Sequence, residues 1–238
     1  MARKDPLAHL SRHVGTLPDG LLREVLGRLP AELPRLEALA LDPRGLAGEA
    51  PETVAARHAV NVLARWPDPR ALPILLAVFD RAESEEIPVF VGVVHALGRR
   101  AADLVEELMA RARGPRGPAA IEVLVVGGVD VPRLVPLVAQ ELDRDPANGL
   151  ILATALGDPA LAGVVRARLD AILAKRELSQ EDTDAVLPLA QALAAMGSLD
   201  DAYGARLVAR LEDEKAQKRA TLEALNERRA ALAAWRRG

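Results

Sequence analysis

Two histidines near the start of the sequence have the spacing that a metal site on a helix requires. His9 and His13 are four residues apart, which places two imidazoles on one face of an α-helix. The His-Glu-x-x-His arrangement is absent, and beyond Asp5 no third ligand has a recognised spacing. We therefore expect ordinary, partly exposed histidines and no bound metal. For His58 and His95 we expect packing or capping roles.

Neighbouring carboxylates are the second feature that could do chemistry, as a general acid paired with a general base. Glu106 is adjacent to Glu107, and Asp182 is two residues from Asp184. Residues one or two apart do not face each other on a helix, so neither pair predicts an acid–base site. Ser179, three residues before Asp182, instead indicates a capped helix N-terminus. No nucleophile elbow, P-loop or dinucleotide-binding glycine pattern occurs, and we expect no catalytic residue and no cofactor.

Basic residues form two groups that could bind an anionic partner. The first group surrounds the loop GPRGP, and acidic residues between its members favour a solvated face with salt bridges over a phosphate site. Its members are Arg99, Arg100, Arg111, Arg113 and Arg116. The second group is our candidate partner-binding set, because it falls on a predicted second helix of a repeat, a surface along which solenoids bind. It consists of Arg166, Arg168, Lys175 and Arg176.

The composition of the 238 residues limits the class of protein. Half of the residues are hydrophobic but only 2% are aromatic, and a core of Leu, Ala and Val is typical of packed helices. The net charge of −3 argues against non-specific nucleic-acid binding by the chain as a whole. The absence of cysteine excludes disulfides, thiolate metal sites and cysteine nucleophiles. Since there is also no signal-like or membrane-spanning apolar run, we expect a cytoplasmic protein with no membrane partner.

Residues 55–80 provide a structural template for most of the chain. They predict a helix, a Pro67-Asp68-Pro69 turn and a second helix, because apolar residues recur at three- and four-residue spacing on both sides of the turn. At intervals of 34, 29, 30 and 40 residues, similar first helices end near Leu63, Leu97, Val126, Leu156 and Met196. Glycine follows most of these ends, and it readily adopts the left-handed conformation that closes a helix. The pattern predicts antiparallel helix pairs that stack on one another.

The template resembles the signature of short HEAT-like repeats of the phycobilisome-lyase type. The matching positions are Arg57, Ala59, Leu63, Asp68, Ala71, Leu72, Pro73, Leu75 and Leu76. Residues 96–98 and 155–159 are similar, and the resemblance covers roughly residues 51–211. It implies an all-α fold, an α-solenoid in which antiparallel helix pairs form a right-handed superhelix. It does not imply one activity, since repeats of this family serve scaffolds, adaptors and a few enzymes.

We divide the chain into three parts on this basis. Residues 1–48 are predicted to form a helical N-terminal cap, because terminal repeats of a solenoid are atypical. Residues 51–205 are predicted to form the HEAT-like solenoid of about five pairs. Residues 206–238 are predicted to form a long C-terminal helix that continues from the last repeat.

Three local expectations follow within these parts. Asp19 is predicted to be the N-cap of a helix. Leu97 and Leu156 are predicted to lie in the core, where truncation to alanine costs about 2–5 kcal/mol. The Gly127-Gly128 and Asn148-Gly149 pairs depart from the repeat pattern, and such glycines either loosen the stack or allow close packing.

The C-terminal helix carries an apolar stripe with a spacing close to that of a coiled coil. Polar residues interrupt the same seam at Glu214, Lys218 and Arg229, so fewer than three clean heptads are available. We hypothesise that this stripe docks on another subunit or on a partner protein. Its residues are Leu222, Leu225, Leu232 and Trp235.

The sequence predicts a non-enzymatic scaffold or adaptor for protein–protein interaction, and it leaves the partner open. The alternative is a HEAT-like nucleic-acid-binding protein or an enzyme of the DNA glycosylase type. That alternative requires a basic groove lined by aromatic residues and a catalytic acid. Here the two tryptophans are Trp66, beside a turn, and Trp235, near the C-terminus. The negative net charge and these positions make nucleic acid the less favoured partner.

Overall fold

The computed structural model describes residues 5–13, 15–129 and 131–235, and over these residues the chain is helical with no β-strand. The first α-helices are α1 Asp19–Leu26, α2 Leu33–Ala40, α3 Pro51–Arg65, α4 Ala71–Arg81, α5 Ile87–Leu97 and α6 Ala102–Arg111. They are followed by α7 Gly117–Val126, α8 Val131–Arg144, α9 Pro146–Leu156, α10 Ala162–Leu173, α11 Gln180–Ala195 and α12 Asp201–Trp235. Short 3-10 helices lie at Leu7–Arg12, Ser84–Glu86, Gly98–Ala101 and Pro159–Leu161. The all-α prediction is confirmed over the described residues, and the predicted repeat region contains α3 through α12.

The chain divides into two compact units, residues 1–138 and 139–238. In the first unit, α3 packs against the helix Leu7–Arg12, α2 and α5, and α5 in turn packs against α7. A second row of helices is formed by α2, α4 and α6, because α4 packs against both of the others. Phe79 of α4 and Phe90 of α5 meet edge to face at the centre, with ring centroids 5.2 Å apart. The N-terminal helices therefore belong to the same compact unit as α3 to α7.

A buried carboxylate holds the loop before α3 in this unit. Glu86 is only 5% exposed, and it accepts hydrogen bonds from the backbone N–H groups of Leu46, Ala47 (3.1 Å) and Glu83 (2.7 Å). Burial by itself raises the pKa of Glu86, but these backbone donors outweigh it and hold the pKa below its ordinary value. Gly45 has a φ of +77°, and a Cβ there would collide with the carboxylate. Glycine at position 45 therefore leaves the space that the Glu86 carboxylate occupies.

The N-terminal segment is fixed by a histidine that the sequence left without a specific role. His58 in α3 is 4% exposed, and its Nε2 lies 2.6 Å from the carbonyl oxygen of His13. Burial lowers the pKa of His58, so the ring is neutral and donates this hydrogen bond. The expectation of ordinary, partly exposed histidines at positions 9 and 13 is confirmed. The two do not share a face of an α-helix, because His9 is in a 3-10 helix and His13 is extended, with φ −109° and ψ 106°.

In the second unit, α11 packs against both α9 and α10. Gly149 lies near the start of α9 and is buried, and a Cβ on it would overlap the backbone of α8 at Leu142. The close-packing interpretation of this glycine is therefore confirmed. Ser179 accepts a hydrogen bond from the Asp182 backbone (3.0 Å) and thus caps α11 as predicted.

Two local expectations are wrong. Pro18, and not Asp19, is the N-cap of α1, and Asp19 is the first helical residue, where a negative charge still favours the helix dipole. Leu97 and Leu156 are only partly buried, because each ends its helix at the edge of the packed layer. Fully buried leucines follow in the next helical segment of the chain, such as Leu104 in α6 at 1% exposure and Leu161 at 0%.

Candidate partner-binding surfaces

Arg166, the first candidate basic residue, lies against the single tyrosine of the chain. Its guanidinium is 4.8 Å from the Tyr203 ring centroid and donates to the carbonyl of Ser198. Arg206 lies 5.0 Å from the same ring, and the tyrosine hydroxyl donates to Asp170 at 2.8 Å. Burial, followed by this bond to a carboxylate, raises the pKa of Tyr203 to about 12. The tyrosine is therefore protonated at neutral pH and ties α12 to α10.

The side chains of two other candidate basic residues, Arg168 and Lys175, also make contacts within the second unit. Arg168 donates to the carbonyl of Leu142 at 2.6 Å, and the Lys175 ammonium contacts Asp182 at 2.6 Å. Lys175 and Arg176 were expected on the same helix as Arg166, but α10 ends at Leu173, so both lie in the loop after it. Arg176 is exposed. Binding of a partner by this set stays a prediction, and it would have to compete with these contacts.

Arg168 belongs to a group of arginines that satisfy the C-terminal carbonyls of other helices. Arg81 of α4 donates to Leu41 at the end of α2 (3.0 Å), and Arg116 before α7 donates to Phe79 and Ala82 at the end of α4. Arg210 of α12 donates to the carbonyls of residues 173, 175 and 176 at the end of α10. Terminal carbonyls of a helix lack intrahelical partners and favour a positive charge. Arg81, Arg168 and Arg210 therefore each join their own helix to the one two positions earlier, whereas Arg116 joins the start of α7 to the end of α4.

The basic group near the GPRGP loop has a mixed outcome. Arg111 contacts Asp80 (2.8 Å) and Glu107 (2.7 Å), which confirms salt bridging for this residue. Arg116 contradicts the expectation of a solvated side chain, because it stacks 5.4 Å from the Phe79 ring and its Nε is buried without a partner. Arg100 and Arg113 are exposed. The side chain of Arg99 lies outside the described residues.

The long C-terminal helix is attached to the second unit by a buried acid. Glu214 is 5% exposed and accepts from Arg210 at 3.0 Å and from the backbone of Leu178. Burial by itself raises the pKa of Glu214, but the hydrogen bonds that it accepts outweigh this effect, so the pKa is lowered overall. The prediction of one continuous helix is confirmed to residue 235. The predicted docking residues on this helix have side chains outside the described part of the structure: Leu222, Leu225, Leu232 and Trp235.

The outward side of α5 and α7, in the first unit, is nearly free of charge. Its exposed residues include Gly92, His95 and Val126, which is 52% exposed. The single carboxylate on these two helices is Glu122, and burial raises its pKa. The second helices of the same unit differ, because their exposed positions carry Asp80, Arg81, Asp103, Glu106 and Glu107. We call the uncharged surface the α5–α7 face.

The second unit has an equivalent surface on α9 and α11, which we call the α9–α11 face. Ile151 of α9 is 67% exposed and Leu187 of α11 is 64% exposed. No charged residue occurs in α9 or in residues 185–195 of α11. Because α9 packs against α11, these exposed apolar side chains lie on neighbouring helices and are available to an apolar partner.

The remaining chemistry of the described residues is limited. They contain no group of three or more His, Cys, Asp and Glu side chains that could hold a metal ion. None of the helices in this part of the chain combines the length and apolar content needed to cross a membrane. Comparison of the chain with protein-family models, curated proteins and solved structures found no match. The HEAT-like resemblance therefore rests on the residues of the chain itself.

Proposed function

We propose that this protein is a non-enzymatic scaffold or adaptor that binds other proteins in the cytoplasm through the outer surface of its first helices. The observation that carries this proposal is the α9–α11 face, where Ile151 and Leu187 are exposed and no charged residue occurs in α9 or in residues 185–195 of α11. The α5–α7 face has the same character in the other unit. A solvated surface with no binding role ordinarily carries interspersed charges, as the second helices of the first unit do.

We also propose that the helix pairs are HEAT-like repeats in a right-handed solenoid. Two observations support this arrangement. In the first unit, first helices pack on first helices and second helices on second helices, which is the contact pattern of stacked pairs. Helix-capping arginines in both units all reach back along the chain, by 40 residues for Arg81 to Leu41, 34 residues for Arg116 to Ala82 and Arg210 to Arg176, and 26 residues for Arg168 to Leu142.

The arginines of the second helices favour a protein partner over nucleic acid. Arg111 is paired with Asp80 and Glu107, and Arg133 is paired with Glu106 at 2.5 Å. Acids interleaved in this way offset the positive field that a phosphate backbone requires. Trp66 is 8% exposed and has the Arg70 guanidinium 5.1 Å from its ring, so it is not presented as a stacking platform for bases.

The central test places a charge on the α9–α11 face. A partner would be captured by cross-linking, identified by mass spectrometry and then purified for binding measurements with the isolated protein. We expect Ile151→Glu and Leu187→Glu each to weaken binding at least tenfold, because a carboxylate would be buried against apolar atoms. Ala171→Glu, at an exposed position of α10, is the matched control and should bind normally. Equal affinity of all three variants would refute the assignment of this face.

Self-association through the C-terminal helix is a second, separable part of the proposal. Deletion of residues 221–238 should abolish association while the helical signal per residue stays nearly constant. Sedimentation velocity and circular dichroism measure the two quantities. An oligomer or complex that persists after the deletion would remove the C-terminal stripe from the proposal.

A further inference from the structure

A pocket between α3 and α5 combines an apolar floor with two arginines. Its volume is about 280 Å³, slightly below the roughly 300–1,000 Å³ typical of small-molecule sites, so it suits one or two side chains. Val60, Ala64 and Val93 line it and are all buried. Arg57 and Arg65 line it as well.

The two arginines are placed at opposite ends of the pocket. Arg57, Asn61 and Arg65 follow one another at four-residue spacing on α3, so they share a face and span about 12 Å of helix. Arg65 donates to the carbonyl of Asn61 in its own helix at 3.2 Å. Within the described residues, neither arginine has a carboxylate within ion-pair distance, and no acidic residue lines the pocket. This contrasts with Arg111 and Arg133, which are paired.

The rim of the pocket on α5 is open because of a glycine. Gly92 lies in the middle of α5 and is exposed, and a Cβ built on it would meet no atom within 4 Å. Glycine inside a helix costs about 1 kcal/mol relative to alanine, and the open space at this position would accept the alanine side chain. Packing within the chain therefore does not require glycine here. A larger side chain at this position would instead occupy the mouth of the pocket.

We propose that this pocket binds an acidic side chain of a partner protein that is flanked by an apolar residue. The positive charge of Arg57 and Arg65 would attract the carboxylate, either guanidinium could donate to it, and the apolar floor would contact the neighbouring side chain. A free anion would use the arginines but not the buried Val60, Ala64 and Val93. The proposal deepens the scaffold function, on which it rests, and locates a specificity pocket beside the α5–α7 face.

The probe for this site is a random dodecapeptide library on phage, panned on the full-length protein. The best peptide would be synthesised with fluorescein and titrated by fluorescence anisotropy. We expect it to contain Asp or Glu beside Leu, Ile or Val, and to lose about tenfold in affinity when the acid is replaced by its amide. Arg57→Gln and Arg65→Gln should each lose a similar factor. Arg23→Gln is the matched control, since Arg23 also donates only within its own helix, to Asp19 (3.3 Å).

Gly92→Leu gives a test that separates blocking from unfolding. Its melting temperature should equal or exceed that of the wild type while peptide binding falls at least tenfold. Gly163→Leu, whose Cβ would also meet open space, should leave binding intact. Failure to select a peptide, a selected peptide without an acid, binding unchanged in both arginine variants, or binding of inorganic phosphate alone would each overturn the proposal. The scaffold function would survive such a result if Ile151→Glu still released the purified partner.

Discussion

Replacement of Glu86 by alanine should release the loop before α3 from the start of α5. The carboxylate accepts three backbone hydrogen bonds, from Leu46, Ala47 and Glu83. The Leu46 donor is buried, and leaving it unpaired costs about 1–3 kcal/mol. The other two donors are part-buried, and water can replace their acceptor, so each loses about 0.5–1.5 kcal/mol. We therefore expect Glu86→Ala to lower the free energy of unfolding of the first unit by about 2–6 kcal/mol.

Glu86→Gln is the control that retains one acceptor oxygen. Its amide oxygen can still accept from Leu46 and Ala47, whereas its NH₂ group would face the N–H of Glu83. The destabilisation should therefore be smaller than for alanine. Urea unfolding reports the difference through Trp66 fluorescence in a Trp235→Phe background, because Trp66 is then the sole tryptophan and lies in the first unit.

The pH dependence supplies an independent check on the same interaction. The pKa of Glu86 is lowered in the folded state from its ordinary 4.5. The contribution of the ionised Glu86 side chain to the free energy of unfolding is then complete above pH 4.5 and is lost as the pH falls through the folded pKa. Glu86→Gln should lose less stability than the wild type over that acidic range. An alanine variant with wild-type stability at pH 7 and unchanged hydrogen-exchange protection at Leu46 would refute the reasoning.

Three further predictions concern packing and protonation. Because burial lowers the pKa of His58, the wild type should lose stability as the pH falls below 6.5, and His58→Gln should flatten this part of a urea-denaturation series. Gly149→Ala should destabilise the second unit by about 1–3 kcal/mol through overlap with α8, whereas Gly163→Ala should be neutral or slightly stabilising. Differential scanning calorimetry of both variants measures the difference. Leu97→Ala should cost less than Leu104→Ala in urea unfolding, for which we expect about 2–5 kcal/mol, and equal losses would contradict the difference in their burial.

The local signals of the sequence account for most of the helices. The Pro67-Asp68-Pro69 turn lies between two helices as expected, and the Ser179 cap is present. These features depend on residues a few positions apart, so a single sequence reveals them. The depth of burial at helix ends depends on neighbouring helices instead. This explains why Leu97 and Leu156 were assigned to the core although both are only partly buried.

The interactions that the sequence did not reveal join residues far apart in the chain. Glu86 contacts a loop 40 residues earlier, and His58 contacts His13 at a separation of 45. Neither residue type indicates such a partner, because a glutamate near a helix start also fits simple dipole stabilisation. The pocket between α3 and α5 likewise depends on contacts between residues far apart in the chain. Its arginines and Gly92 lie on different helices, and their proximity follows from packing.

The arginines divide into two functional groups once their contacts are known. Of 31 basic residues in the chain only four are lysine, a bias that coding composition alone could produce. Arg210, however, donates to three carbonyl oxygens at one helix end, and Arg116 donates to two. A planar guanidinium with five donors can do this, whereas a lysine ammonium acts as a compact point charge. Arg57 and Arg65 make no described contact of this kind, and unlike the exposed Arg100 and Arg113 they line a pocket with a buried apolar floor, which makes them available to a partner.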